Sequence, residues 1–180
     1  MIIAAVILGL IVLFVIYLYN KLVVFGNRID NAWSQVDVQL KKRYDLIPNL
    51  METVKGYASH EKELFEKVTK ARSEALSAQN VKEQGKAENM LSETLKSLFA
   101  VTENYPDLKA NQNFLMLQEE LSGIESKIAF ARQFYNDSVL AYDNAREVFP
   151  TSIVAGIFNF AEKHYFQMEE AEKEPVKVKF

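Results

Sequence analysis

The sequence opens with MIIAAVILGLIVLFVIYLYN, residues 1–20, and the part from Ile2 to Tyr19 contains no charged side chain. At about 1.5 Å per residue, a helix over this stretch is roughly 27 Å long, close to the thickness of the hydrocarbon core of a bilayer. Tyr17 and Tyr19 stand at its end, where an aromatic belt at the membrane interface is expected. The stretch therefore predicts an N-terminal transmembrane anchor, residues 1–25, that contacts membrane lipid.

Two other interpretations fit this stretch less well. A cleaved signal peptide has a basic segment before its apolar core and a small-residue cleavage site after it, and residues 1–22 show neither. A buried helix of a soluble protein is rarely so apolar on all sides.

Charge gives an orientation and excludes some partners. Lys21 and Arg28 follow the apolar stretch and no Lys or Arg precedes it, so the positive-inside rule favours an N-terminus outside and a domain in the cytoplasm. The formal net charge is −3 and both signs are interspersed, which indicates no nucleic-acid partner. The chain has no cysteine, which excludes cysteine-based metal and redox chemistry.

The residues after the anchor follow the period of amphipathic helices. In the first of these helices the apolar positions are Ile29, Trp33, Val36, Leu40, Tyr44, Ile47, Met51 and Val54. The anchor can continue into this helix with a bend near Gly26, and Pro48 is expected to kink it.

Three more helices are expected. Ser59 can open the second, which carries Leu64, Val68, Ala71, Ala75 and Ala78; the third covers about 82–102, with Ala87, Leu91, Leu95 and Leu98 inward. Pro106 is expected near the start of the fourth. Pro150 ends that helix, whose inward positions repeat every 3.5 residues: Phe114, Leu117, Leu121, Ile124, Ile128, Ala131, Tyr135, Ser138, Tyr142, Ala145 and Phe149.

The expected helices define the fold class and the domains. Short connections favour up-down topology, so the chain is predicted to be all-α, with a long antiparallel up-down four-helix bundle over residues 26–150. The first and fourth helices are longer than the other two, so their stretches 26–40 and 135–149 should pair with each other. Residues 151–180 are predicted to form a C-terminal amphipathic helix and tail.

The C-terminal extension is unusually apolar, and its candidate interaction residues are Ile153, Ile157, Phe158, Phe160, Tyr165 and Phe166. They can cover the open end of the bundle, lie in the membrane interface, or form a subunit contact. The last residues, 175–180, alternate apolar and basic side chains and can form an edge strand or stay extended.

No pattern in the sequence predicts catalysis, a cofactor or a metal. His60 and His164 are the only histidines, and neither belongs to the Glu-x-x-His motif of a di-iron bundle. Glu119 and Glu120 are adjacent on a helix and point about 100° apart, so they do not converge on one substrate.

A polar motif surrounds Pro48. Asp45 and Asn49 are polar residues among apolar ones, Arg43 can reach an acidic neighbour, and Asn49 can satisfy the carbonyl that Pro48 leaves without a donor. These residues and Asn111 form either a structural polar network or a site for docking a partner.

These motifs, taken together, resemble the LemA family of bacterial membrane-anchored proteins. The resemblance rests on Arg43-Tyr44-Asp45-Leu46-Ile47-Pro48-Asn49-Leu50, on Tyr105-Pro106-Asp107-Leu108-Lys109-Ala110-Asn111, and on Arg132, Tyr135, Asn136, Tyr142, Phe149 and Pro150. The family often has Tyr-Asn where this chain has Tyr142-Asp143. The resemblance implies a transmembrane helix and a helical bundle, and it implies no enzymatic activity.

Three functions follow as hypotheses. The first is a non-enzymatic, membrane-tethered scaffold that associates with itself and with unidentified membrane or cytoplasmic proteins. The second is an enzyme or a carrier of a small ligand, with a site in the bundle or under the tail. The third is a membrane-remodelling protein that inserts residues 153–166 at the interface.

Overall fold

A computed structural model describes residues 1–166; the expected edge strand at 175–180 lies outside the described residues. Over that range the chain contains helices and no β-strand, which confirms the predicted all-α class. The helices are α1 (Ile2–Lys55), α2 (Lys62–Ser77), α3 (Val81–Thr102), α4 (Pro106–Lys109), α5 (Gln112–Glu147) and α6 (Thr151–Ile157).

Helix α1 is continuous over 54 residues and contains both the apolar stretch and the first helix of the bundle. The expected continuation of the anchor is therefore confirmed, and the helix passes Gly26 and Pro48 without interruption. Its N-terminal part is long and apolar enough to cross a membrane, and only 6% of the most apolar 18 residues there are buried within the protein. Such exposure is typical of a lipid-facing helix rather than of a core helix.

Pro48 leaves the carbonyl of Tyr44 without its helical donor, because proline has no N–H. The structure satisfies this carbonyl from another helix, since Arg72 Nε on α2 donates to Tyr44 O at 2.9 Å. The expectation that Asn49 has this role is wrong: its side chain is exposed, and its backbone carbonyl accepts from Thr53.

The chain divides into two compact units, which we describe separately. The bundle unit comprises residues 38–129 and, among the described residues, 165–166; the anchor unit comprises residues 1–37 and 130–164. Both α1 and α5 contribute to each unit.

In the bundle unit, contacts between α1 and α5 show that the two helices are antiparallel. Arg43 lies near the start of the part of α1 in this unit, and it pairs with Glu125, which lies near the end of the part of α5 in this unit. Tyr57, just beyond the end of α1, accepts a hydrogen bond from Asn111, just before the start of α5. The end of one helix therefore lies beside the beginning of the other.

Helices α2 and α3 complete the up-down order. Arg72, in the second half of α2, reaches back to Tyr44, so α2 runs opposite to α1. Gln84, near the start of α3, donates to the hydroxyl of Tyr44, whereas Tyr105, beyond its end, donates to Glu61 at the start of α2. Helix α3 therefore runs parallel to α1, and the predicted four-helix bundle is confirmed.

The buried positions of the bundle agree with the predicted periodicity at most sites. The prediction of burial is confirmed for Leu40, Tyr44, Ile47, Met51, Val54, Val68, Ala71, Ala75, Leu91, Leu95, Leu98, Leu121, Ile124 and Ile128, and in the anchor unit for Val36. On α2, Phe65 is buried and the predicted Leu64 is only half-buried. The prediction is wrong for Phe149, which is 81% exposed because α5 ends at Glu147.

Two helix starts also differ from expectation. Helix α2 begins at Lys62 rather than Ser59, because the buried Ala58 closes the end of α1 through its N–H to Val54 O at 2.8 Å. Pro106 begins the separate helix α4, and α5 starts only after Asn111, whose side chain accepts the N–H of Phe114 at 3.0 Å. Asn111 is thus the N-cap of α5.

In the anchor unit, α1 and α5 are again paired. Trp33 and Tyr135 meet edge to face with ring centroids 5.4 Å apart, and the Arg28 guanidinium lies 5.4 Å from the ring centroid of Phe134. The predicted pairing of 26–40 with 135–149 is therefore confirmed at Trp33 and Tyr135. A second apolar cluster joins α1, α5 and α6: Leu18, Leu22, Ala145, Val154 and Ala155, with Val15, Phe25 and Phe160 packed against it.

The bundle core gives a direct prediction for stability. Leu98 on α3 is fully buried, so Leu98→Ala should lower the free energy of unfolding by about 2–5 kcal/mol through lost burial and a residual cavity. The matched control is Leu76→Ala on α2, where the side chain is 54% exposed, and we expect a change within about 0.5 kcal/mol. Unfolding in a mild detergent, followed by circular dichroism, measures both; equal effects would contradict the proposed core.

Candidate functional site

A fully buried ion pair lies in the core of the bundle unit. Arg43 Nη2 donates to Glu88 Oε2, and both side chains are fully buried. Arg43 Nη1 also donates to Glu125 Oε1 and, at 2.9 Å, to Ser92 Oγ. One guanidinium on α1 thereby connects α3 with α5, in the planar geometry that arginine offers to carboxylates.

A second branch extends the network towards α2. Tyr44 donates its hydroxyl hydrogen to Glu88 Oε1. The amide nitrogen of Gln84 lies 2.8 Å from that hydroxyl, 2.9 Å from Glu88 Oε1 and 3.1 Å from the carbonyl oxygen of Ala75. Buried polar atoms are costly unless they are paired, so this set of hydrogen bonds stabilises one particular register of the helices.

The network differs from the one expected around Pro48. Arg43 belongs to it, but Asp45, Pro48 and Asn49 are exposed and lie outside it. Glu88 and Gln84, which the sequence analysis did not single out, supply its centre.

The second sequence motif lies at the connections between helices. Tyr105 donates to Glu61 Oε1 at 3.1 Å, and Asn111 Nδ2 donates to the Tyr57 hydroxyl at 2.9 Å. Pro106 and Asp107 are exposed in the first turn of α4. The motif therefore joins the α1–α2 connection to the α3–α5 connection within the bundle unit.

The six candidate interaction residues of the C-terminal extension have different environments. Ile153, Ile157 and Phe158 are 55%, 69% and 50% exposed, Tyr165 is exposed, and Phe166 is buried. Phe160 is half-buried against the α1–α6 cluster. Phe158 and Phe160 come together at Tyr19 of α1, with ring centroids 4.9 and 5.5 Å from that ring.

Side chains of α5 hold the chain that follows α6. The hydroxyls of Tyr142 and Tyr135 donate to the carbonyl oxygens of Ala161 and His164, each at 2.9 Å. Burial raises the pKa of both tyrosines, and Asp30 adds to this for Tyr135, so both phenols remain protonated donors at neutral pH. Asp143 accepts a backbone hydrogen bond from Lys163.

Asp143 is an ionisable group with little exposure, 8% of its surface. Burial raises the pKa of this carboxyl above its ordinary value, although Arg146 and the bond from Lys163 act in the opposite direction. An acid whose pKa is raised in the folded state is one that the fold disfavours in its charged form.

Two observations concern metal binding and surface grooves in the described part of the chain. Among residues 1–166 there is no group of three or more His, Cys, Asp or Glu side chains that could hold a metal ion. An open groove on the surface of α1 is lined by Tyr17, Asn20, Lys21, Val24 and Phe25.

Comparison with known proteins identifies relatives over most of the chain. The sequence profile of the LemA family matches residues 32–180. A protein named Protein LemA from Metamycoplasma hominis is 29% identical, covering 86% of this chain and 71% of its own. Magnetosome protein MamQ 2 of Paramagnetospirillum magneticum is 23% identical, and Magnetosome protein MamQ of Magnetospirillum gryphiswaldense 22%; each covers 88% of this chain and 68% of its own.

The buried ion pair predicts strong coupling between its partners. Arg43→Met leaves Glu88 charged and buried without its partner, which should cost about 3–5 kcal/mol of unfolding free energy. Arg43→Met with Glu88→Gln should recover much of that loss, because the amide still bonds Tyr44 and Gln84. Denaturant unfolding of the four members of the double-mutant cycle measures the coupling.

The control is an exposed ion pair. Lys109→Met removes a contact with Glu103 at the surface and should cost less than about 1 kcal/mol. If Arg43→Met is as mild as this control, the network does not stabilise the bundle.

The raised pKa of Asp143 predicts that the stability of the folded protein depends on pH. The unfolded carboxyl titrates near 3.8 and the folded one at higher pH, so the folded state binds more protons between the two values and loses stability as pH rises through that window. Asp143→Asn keeps an oxygen for Lys163 and cannot ionise. The melting temperature of Asp143→Asn relative to that of the wild type should therefore increase as pH rises above 3.8, and the difference should then stay constant at higher pH. A constant difference across the whole series would contradict the raised pKa.

Proposed function

The chain belongs to the LemA family, and from this membership we propose that it is a membrane-anchored interaction protein without catalytic activity. Its partners are proteins, and a second copy of the chain is the first of them. The anchor confines the bundle to the membrane surface, which raises the local concentration for any partner in the same membrane.

The observation that carries the proposal is the continuity of α1. One uninterrupted helix supplies the candidate membrane span and, at Arg43 and Tyr44, the centre of the bundle's polar network. No break separates the candidate span from the bundle part of this helix, which supports an anchor that stays attached to the domain. The proposed anchor is therefore an integral part of the fold.

The use of the polar groups supports a non-enzymatic role. The guanidinium of Arg43 and the carboxylate of Glu88 bond to each other and to neighbouring side chains inside the bundle. Groups that bind and transform a substrate have to converge on a cavity that the substrate can enter. Arg43 and Glu88 instead stabilise the packing of the helices. The relatives' names, Protein LemA and Magnetosome protein MamQ, specify no reaction.

The proposed orientation places the N-terminus outside and the bundle in the cytoplasm. Lys21 and Arg28 are exposed just after the span and supply the positive charge that this orientation requires. Arg43 is buried in an ion pair and does not add to that charge.

Exposed apolar side chains support self-association. On α5, Phe130 is 72% exposed and Leu140 is 50% exposed, and large apolar side chains at a protein surface favour contacts with other chains. Both belong to the part of α5 in the anchor unit, next to residues that pair with α1. The proposal places the contact between copies on this side of α5.

Crosslinking in intact membranes, followed by identification of the attached proteins, tests the proposal. We expect crosslinked copies of this chain, and a mass in mild detergent that is a multiple of the 20.6 kDa monomer. Phe130→Gln with Leu140→Gln should shift the distribution towards the monomer. The matched control, Leu76→Gln on α2, should leave it unchanged. A strict monomer with no crosslinked protein of any kind would overturn the proposed role.

A further inference from the structure

We propose that α6 and its flanks lie in the interface of the bilayer that α1 crosses, with four side chains inserted among lipids. These residues, the α6 apolar face, are Phe149, Ile153, Ile157 and Phe158. The inference rests on the proposed anchoring of α1 and adds a second, monotopic contact with the membrane.

The α6 apolar face is exposed on one side of a helix whose other side is buried. Ile153 and Ile157 are four residues apart and share a face, and they are 55% and 69% exposed. Val154 and Ala155 are buried in the cluster with α1. Phe149 is 81% exposed just before α6, and Phe158 is 50% exposed just after it.

The packing partners of α6 fix its depth. Val154 and Ala155 pack in a cluster with Leu18 and Leu22, and Val15 packs against the same cluster. The uncharged run of α1 ends at Asn20, directly before Lys21, so α6 lies beside the last turns of the candidate span. When that span crosses a bilayer of roughly 30 Å hydrocarbon thickness, its last turns reach the interface, and α6 lies there too.

Charge and aromatic residues around α6 also fit an interfacial position. The stretch 148–160 contains no charged side chain, whereas Glu147 precedes it and Glu162 follows it. Tyr19 contacts the rings of Phe158 and Phe160, and clusters of aromatic rings favour the headgroup region. Because the stretch has no basic residue, its contact with lipid depends on apolar area and needs no anionic headgroup.

A lipid surface fits the α6 apolar face better than a protein partner. A stable protein interface buries more than about 1,000 Å², and a seven-residue helix with two flanking rings offers much less. Phe14 and Tyr17 are neighbours in sequence of Val15 and Leu18, which pack in the α6 cluster; they are 50% and 63% exposed and lie in the proposed lipid-facing span.

The absence of cysteine allows a direct measurement of depth. The full chain carries one introduced cysteine, Ile153→Cys or Ile157→Cys, labelled with an environment-sensitive fluorophore, and is reconstituted in phosphatidylcholine vesicles. Nitroxide attached to lipid quenches fluorophores in the bilayer, and iodide quenches those in water. We expect lipid-borne quenching at both positions to exceed that of the control severalfold, with iodide quenching correspondingly lower.

The matched control is Leu76→Cys on α2, an apolar position that is 54% exposed, close to the 55% of Ile153, and that is not part of the α6 apolar face. Leu10→Cys, inside the span, reports on the anchor itself. If Leu10 is quenched from lipid while Ile153 and Ile157 behave like Leu76, the anchor stands and this inference is overturned.

Two further outcomes also decide the matter. Labels at Ile153 and Ile157 that are shielded from both quenchers indicate a second copy on the α6 apolar face and overturn the lipid contact. A Leu10 label that is accessible to iodide and not to lipid nitroxide overturns the anchor, and with it this inference. Circular dichroism of each labelled variant establishes that the helices are intact.

Discussion

The continuity of α1 is the constraint on which the rest of the structure depends. A helix is one of the few structures that satisfy all backbone hydrogen bonds within lipid, and here the same helix continues to Lys55 in the bundle. Proline has no N–H, so Pro48 leaves the carbonyl of Tyr44 without its usual helical donor. Arg72 of α2 donates to that carbonyl instead. The packing of α2 against α1 thus also satisfies a backbone hydrogen-bond acceptor of α1. The side chain that donates this hydrogen bond is 28 residues away from the carbonyl in sequence.

The Arg43–Glu88 pair explains how the helices adopt one register. Apolar positions that repeat every three or four residues allow neighbouring helices to slide by a turn with little change in burial. Arg43 and Glu88 remove that freedom, because a shift of one turn, about 5.4 Å, would leave both charges buried without partners. The cost of burying the pair is offset by Ser92, Tyr44 and Gln84, which bond to it.

The apolar period of the sequence predicts the all-α fold and most of the core, because burial on a helix follows directly from spacing. It does not predict where α2 and α5 begin. Their starts differ from the expected Ser59 and Pro106 because they depend on local hydrogen bonds at Ala58 and Asn111. It also missed Glu88, although a signal exists: Gln84, Glu88, Leu91 and Leu95 follow steps of four, three and four. Polar residues at such positions mark a buried network, but only the fold identifies Arg43 as the partner. Phe149 fits the same period and is exposed, because α5 ends before it.

Alkaline extraction of membranes, followed by the intact mass of the extracted protein, tests the central claim most directly. Because the proposed span belongs to the same helix as the bundle core, we predict that the protein stays with the lipid pellet at the full 20.6 kDa. A soluble protein that has lost its first twenty or so residues would contradict the account, since the candidate span would then be absent and α6 would have no bilayer beside it.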